Sequence, residues 1–266
     1  MGARPAFDQA APQHHGDDLR RPLVTSHAAC KGHAPENTLA GIEAALRLGA
    51  AAIEIDVHGT SDGIPVLIHD ETVDRTTDGT GNIHDMTLDA ARALDAGARQ
   101  FAPQFEGARI PTLAEVLDLT KGKALLQIEV KQTGIEHHVA QAVRDANAIA
   151  SCEVHSFFPQ VVRQMRIVEP RMACALLTDG RRVVDWQDFF GFALSLNAQG
   201  VSVYHTWATP DRVREGQRRS LTFMVWTVDD EAGMRNMVDA GVDSICSNFP
   251  DIVRTVVAAA APPAPR

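Results

Sequence analysis

Ile53-Glu54-Ile55-Asp56-Val57 is a β-branched run with acids at alternate positions. A strand through it aims both carboxylates at one face and the aliphatic side chains at the other. Two close carboxylates among buried apolar neighbours are costly unless a cation, a proton or a partner compensates them, and a hard divalent cation is the simplest compensator. Taken alone, the pair equally fits a strand whose acids face water or pair with arginine. A second run at 124–131, Ala-Leu-Leu-Gln-Ile-Glu-Val-Lys, repeats the pattern. It ends in Glu129 and Lys131, again two apart and on one face, so a third acid and an ammonium join the first pair.

Strand-length apolar runs recur outward from these two, at 23–27, 52–57, 66–69, 124–130, 153–157, 173–177, 200–204, 221–228 and 243–247. Helical patterns separate most of them: 36–48 stopped by Gly49, 112–119 stopped at Lys121-Gly122, 136–150, 159–168, and 230–240 stopped by Gly241. Alternation of strand and helix predicts a parallel sheet. No glycine-rich dinucleotide fingerprint follows the first strand, and eight or nine β/α units suit a closed TIM (β/α)8 barrel better than a doubly wound sheet. Nine runs compete for eight places, and the link from Val57 to Val66 is too short for a helical crossover, so one unit is irregular.

The expected organisation is a disordered leader at 1–22, one barrel domain at 23–257 and a frayed Ala- and Pro-rich tail at 258–266. Within the barrel, 78–111 reads as an inserted loop region, broken by Gly79, Gly81, Gly97, Pro103 and Gly107. Such a barrel suits a chain of 266 residues that is 45% hydrophobic and 22% charged. A formal charge of -9 argues against a nucleic-acid partner. Cys30, Cys152, Cys174 and Cys246 lack metal or redox spacing and read as reduced thiols. With no signal-peptide core in the leader and no bilayer-length apolar run, the expected location is the cytoplasm.

Strand C-termini of a TIM barrel converge on one rim. Here they bring His27, Glu54 and Asp56, His69 and Asp70, and Glu129 and Lys131 together. Three carboxylates supply the oxygen ligands that Mg²⁺ or Ca²⁺ prefers. Two histidines can take a proton from a nucleophile and return one to a departing alkoxide. Lys131 adds positive charge where phosphoryl oxygens gain negative charge. Glu36 and Asn37 read as the start of the first helix, with Asn37 a candidate N-cap, and Arg75 reads as a brace for the loop after His69. His137 and His138 read as surface residues at a helix start.

His27, Gly32-His33-Ala34-Pro35-Glu36-Asn37-Thr38, Ile53-Glu54-Ile55-Asp56-Val57, Thr60-Ser61-Asp62-Gly63, the 66–70 segment with Arg75-Thr76-Thr77, Pro111-Thr112-Leu113 and Ile128-Glu129-Val130-Lys131 together resemble the glycerophosphodiester phosphodiesterase family. Ser156-Phe157, Val225-Trp226-Thr227-Val228 and Gly241-Val242-Asp243 extend the resemblance over most of 23–255. It implies a TIM-barrel enzyme that uses a divalent cation to split a small glycerophosphodiester into sn-glycerol 3-phosphate and an alcohol. Glu54, Asp56 and Glu129 would hold the metal, His27 and His69 would form the acid/base pair, Lys131 would touch phosphate, and Trp226 would lie near the pocket. Two other outcomes fit the same resemblance: a phospholipase D-like lyase that makes a cyclic phosphate, and a metal- and phosphate-binding relative without turnover. The chain departs from the family where Ala28-Ala29 replaces the usual Arg-Gly, which removes a charge-assisted contact worth ~2 kcal/mol. Lys31, in the same loop, is expected to substitute in part. Ser247-Asn248 replaces the common Thr-Asp after the last strand.

Overall fold

The structure, a computed structural model, describes residues 21–260. Eight parallel strands close on themselves: β1 (Leu23–Ser26) pairs with both β2 (Ala52–Gly59) and β9 (Ser244–Ser247). Between these lie, in spatial order from β2, β4 (Leu125–Val130), β5 (Cys152–Ser156), β6 (Ala173–Thr178), β7 (Gly200–Tyr204) and β8 (Thr222–Trp226). The expected TIM barrel is the observed fold.

The ninth apolar run is the irregular one. β3 (Pro65–Leu67) folds back antiparallel on the end of β2, with Val57 opposite Leu67 and Gly59 opposite Pro65. The turn is short because Thr60 Oγ1 accepts from the Ile64 amide and Gly63 takes a φ of +80°. His69 therefore does not end a barrel strand, as expected from its run, but lies just beyond a hairpin that rises from the barrel rim. The chain then crosses residues 78–111, which hold a helical turn at Ile83–Asp85 and the short helix α2 (Leu88–Arg92), before α3 (Leu113–Thr120) leads to β4. Val66, Ile68, Val73, Ile83, Ala91, Ala96 and Ile110 form a small core of their own beneath this excursion.

The helices start and stop for local reasons. Thr38, not Asn37, caps α1 (Leu39–Leu48), accepting from the Gly41 amide, and Gly49 ends it in the left-handed conformation with φ +79°. α3 opens on a reciprocal box between Thr112 and Glu115. α4 (Glu136–Asp145) stops five residues short of the expected end. α5 (Pro159–Val168) and α8 (Glu231–Ala240) lie where the sequence places them. Three further helices complete the ring: α6 (Trp186–Ser195), α7 (Pro210–Arg218) and α9 (Pro250–Ala259). The last runs two residues into the segment expected to fray; residues 261–266 of that segment, and residues 1–20 of the expected leader, lie outside the described residues. Among the described residues no helix is long and apolar enough to cross a membrane.

Helices outside and side chains within bury β2 at every position. Ile53, Ile55 and Val57 join the apolar core with Leu126, Ile128 and Val130, so the alternate residues of β2 and β4 turn into the barrel. Ladder register sets Glu54 beside Gln127 and Asp56 beside Glu129. Deeper in the lumen polar groups pair with each other, as Thr25 Oγ1 does with Ser244 Oγ at 2.7 Å.

Gly97 packs its α-carbon against the backbone of Phe105, and a Cβ there would sit well inside van der Waals contact with the Phe105 carbonyl. Gly97→Ala is expected to lower stability by about 1–3 kcal/mol, with faster amide exchange confined to 78–111. Unchanged urea midpoint and exchange would show that this packing is not a constraint.

Candidate active site

Carboxylate oxygens of Glu54, Asp56 and Glu129 all lie within 4.8 Å of one another, and all three residues are buried. Glu54 Oε2 accepts from the Ala28 amide at 2.8 Å, whereas its Oε1 is buried with no partner. Asp56 is gripped by Asn37, whose Nδ2 donates to Oδ2 at 2.7 Å and whose Oδ1 accepts from the Asp56 amide at 3.0 Å. Lys131 Nζ lies 2.9 Å from Asp56 Oδ1 and 2.7 Å from Glu129 Oε1. One ammonium thus faces three acids.

The electrostatic consequences are unequal. Burial, then the charges of Asp56 and Glu129, push the Glu54 pKa well above its ordinary value. Burial also raises Glu129, though Lys131 offsets part of that. At Asp56 burial is outweighed by Lys131, the two imidazoles and Asn37, and the pKa falls to about 2. Lys131 is held charged by Asp56 and Glu129 against its own burial. The cluster fits a hard divalent cation: metal–oxygen bonds of about 2.1–2.4 Å allow ligand oxygens up to roughly 4.2–4.8 Å apart, and the orphaned Glu54 oxygen supplies a buried ligand with no other use.

Two imidazoles flank the acids, each fixed by a different partner. His27 follows β1, and its Nδ1 lies 2.8 Å from Asn248 Oδ1. Asn248 Nδ2 donates to Asp229 Oδ2 at 2.6 Å and its amide to Oδ1 at 2.9 Å, which orients the side-chain amide. His27 Nδ1 therefore carries the proton, and Nε2 is left as the basic nitrogen. Burial lowers the His27 pKa, with Asp56 and Asn248 opposing and Lys31 and Lys131 adding to the effect. His69 donates from Nδ1 to Asp70 Oδ1 at 2.7 Å, and its side chain is 42% exposed. Arg75 Nε donates to Asp70 Oδ2 at 2.6 Å, and the Arg75 bond with that of His69 brings the Asp70 carboxyl to about 2.

Arg75 braces this loop as expected, but its other arm reaches further. It donates to both Glu36 oxygens at 2.6 and 3.0 Å, while Lys31 Nζ lies 2.9 Å and Gln100 Nε2 3.0 Å from Glu36 Oε2. Glu36 is thus a buried hub, not a helix start. Burial opposes its ionisation, yet Arg75, Gln100 and Lys31 win and its pKa falls from 4.5 to about 2. Lys31, expected to replace the missing guanidinium, is taken up by this hub.

Ala28 and Ala29 are 1% and 0% exposed, so the absent arginine leaves no opening. Both hold positive φ, 45° and 68°, a turn that lets their amides donate to Glu54 Oε2 and to the Glu54 carbonyl. Trp226, closing β8, packs edge-on against Phe157 and Tyr204 at 5.5 and 5.3 Å between centroids. An open cleft of about 540 Å³ reaches Glu129, and His69, Lys131, Phe157 and Phe158 are among the residues that line it. His58 also lines it, its Nε2 3.3 Å from the His69 carbonyl. Sequence reasoning missed His58, Asn248 and Asp229 as supports, since none lies in a local pattern with the residue it holds. His137 and His138 are exposed at the start of α4, as expected.

The sequence profile of the glycerophosphoryl diester phosphodiesterase family matches residues 27–252. A glycerophosphodiester phosphodiesterase of Caldanaerobacter subterraneus subsp. tengcongensis is 36% identical over 88% of this chain and 97% of its own. Among solved structures, a glycerophosphodiester phosphodiesterase from Agrobacterium tumefaciens has a TM-score of 0.79 at 29% identity, covering 88% of this chain and 99% of its own. An Oleispira antarctica phosphodiesterase in complex with the product sn-glycerol-3-phosphate has a TM-score of 0.81 at 25% identity, covering 91% and 99%.

Because the Glu36 pKa is depressed on folding from 4.5 to about 2, its stabilisation is complete above the unfolded value and is lost as pH falls through that interval. Glu36→Gln is expected to cost about 2 kcal/mol at neutral pH, less than a wholly buried pair because Arg75 and Lys31 keep contact with water. The gap to the parent protein in denaturant unfolding should close on acidification; a gap independent of pH would refute the ionic role.

Proposed function

The chain belongs to the glycerophosphoryl diester phosphodiesterase family, and on that premise we propose how its own residues hydrolyse a glycerophosphodiester to sn-glycerol 3-phosphate and an alcohol. The orphaned, buried Glu54 oxygen facing Asp56 and Glu129, between two oriented imidazoles, carries the reading. Glu54, Asp56 and Glu129 hold one divalent cation, Mg²⁺ or Ca²⁺ by the all-oxygen donor set. When bound, that ion supplies Lewis-acid neutralisation of charge on the phosphoryl oxygens.

His27 and His69 divide the proton work. A neutral, buried His27 with Nδ1–H fixed on Asn248 presents an unprotonated Nε2, the form that accepts a proton from the nucleophile, either water directly or the substrate's neighbouring hydroxyl, whose cyclic phosphate then takes up water. His69, its Nδ1 bonded to the Asp70 carboxylate, keeps Nε2 free and serves as the proton donor to the leaving alkoxide. Lys131 faces the same cleft as the phosphate contact. Lys31, bound to Glu36, contributes through its field by disfavouring charge on His27. Trp226, with Phe157 and Tyr204, forms an apolar wall at the rim. Four buried free thiols support a reducing compartment, the cytoplasm.

Two measurements test this reading. Mg²⁺ or Ca²⁺ at roughly a hundred times its Kd is expected to raise the Tm by about 5 °C or more, and Glu54→Gln to abolish that rise without lowering the metal-free Tm; an undiminished rise would move the metal elsewhere. With glycerophosphocholine, turnover should stop on chelation and fall by about 10²–10⁴-fold in His27→Ala and His69→Ala. Phosphorus NMR should show sn-glycerol 3-phosphate. A cyclic phosphate as final product would favour the lyase, and metal binding without turnover the binding relative.

A further inference from the structure

His58 continues the row of Glu54 and Asp56 along one face of β2, and it is 2% exposed. It takes no part in the proton transfers or in holding the cation. A buried imidazole needs partners for its ring nitrogens, and here each faces an oxygen from a different segment. Nδ1 lies 3.2 Å from Oε1 of Gln132, which follows Lys131 beyond β4, and Nε2 lies 3.3 Å from the main-chain carbonyl of His69.

The Gln132 side of this bridge is stiff. Gly59 has no Cβ, and one there would stand 2.7 Å from Ile135 Cγ2, so the chain beyond β4 packs directly on the end of β2. The Gly59 amide donates to Gln132 Oε1 at 3.1 Å, which supplies that oxygen without help from the ring. The carbonyl of His69 can only accept, so the ring proton is best used on Nε2. His58 thus joins β2 to the segment that presents His69.

Among the described residues that segment has few other ties to the strand of acids. The ladder between β2 and β3 ends at Val57 and Leu67, and the Ile68 amide adds one bond to the Asp56 carbonyl at 3.0 Å. Asp70 orients the His69 ring, but as the adjacent residue it moves with the loop. Arg75 leads sideways from Asp70 to Glu36, not to β2. Placement of the His69 main chain relative to Asp56 is therefore left to the Ile68 bond and to the ring two residues along the same strand.

We propose that His58 is a positioning residue for His69: its Nε2–H holds the His69 carbonyl and so fixes the distance between the proton-transferring imidazole and the acids of β2. The inference rests on the reading of His69 as a group that transfers a proton. A reacting group displaced by about 1 Å can lose a hundredfold in rate, and this bond restrains a shift of that kind.

The test is a double-mutant cycle on the full chain, with glycerophosphocholine as substrate and Mg²⁺ or Ca²⁺ present. His58→Ala is expected to lower kcat about 10–100-fold, with KM little changed and the metal-induced rise in Tm retained. His58→Leu, which fills the space without a donor, should behave alike. His58→Gln, whose amide nitrogen reaches the same carbonyl, should recover most of the rate. In a His69→Ala background the His58→Ala change should cost almost nothing more, because its route to the reaction is already gone. An equal loss in both backgrounds, a loss carried by KM, or disappearance of the metal-induced rise would overturn the positioning role. A parent protein that releases no product, or a His69→Ala rate equal to that of the parent, would instead overturn the hydrolytic reading beneath it.

Discussion

Like-charge crowding at the mouth of the barrel governs the arrangement around it. Three carboxylates and one ammonium share a space of a few ångströms, in a setting where burial alone already works against ionisation. Glu54 bears most of that burden, because Lys131 reaches Asp56 and Glu129 but not its free oxygen. A fold that tolerates such a cluster needs a rigid frame, since any slackening would let the acids separate into water. The ladder supplies it by setting Asp56 directly beside Glu129 on neighbouring strands. Asn37 then holds Asp56 from the loop after β1, with one side-chain amide bonded to both its carboxylate and its main chain.

Around that frame, the two imidazoles are kept chemically distinct by what stands behind them. A neutral amide oxygen stands behind His27 and a carboxylate behind His69, and each fixes the orientation of its ring. Burial lowers the His27 pKa, whereas the His69 ring stands 42% exposed at the rim. The supports are themselves connected. Glu36 receives Arg75 from the His69 loop, Lys31 from the His27 loop and Gln100 from the excursion at 78–111. A single buried carboxylate thus ties the segments carrying both histidines, which explains why an inserted region far from β1 in sequence is held against it.

Sequence alone makes some of this legible. Glu54, Asp56, Glu129 and Lys131 can be read because strand periodicity is exactly the information that decides which face they share. The run at 66–69 misleads for a related reason: three or four apolar residues carry no mark of parallel or antiparallel pairing, and only the short link from Val57 warns of the hairpin that forms. Glu36 and Asn37 sit beside a helix start and look like capping residues, but their partners, Arg75 and Asp56, are 39 and 19 positions away. Asn248 holds His27 across 221 positions. Contacts of that separation leave no periodic trace, so the tertiary fold has to be in hand before they are seen.

The alanines after His27 show how backbone geometry serves the cluster where a side chain is missing. Left-handed conformations cost an alanine about 1 kcal/mol each, and Ala28 and Ala29 adopt them in succession. What the turn secures is visible in its two amides, one on the Glu54 carboxylate and one on the Glu54 carbonyl. The loop that presents His27 is therefore fastened to the strand that presents the acids through main-chain donors. Side chains at 28 and 29 point into packed interior and take no part. Loss of a guanidinium from this loop alters what can meet a phosphate, yet leaves intact the device that aims Glu54 and keeps its second oxygen bare.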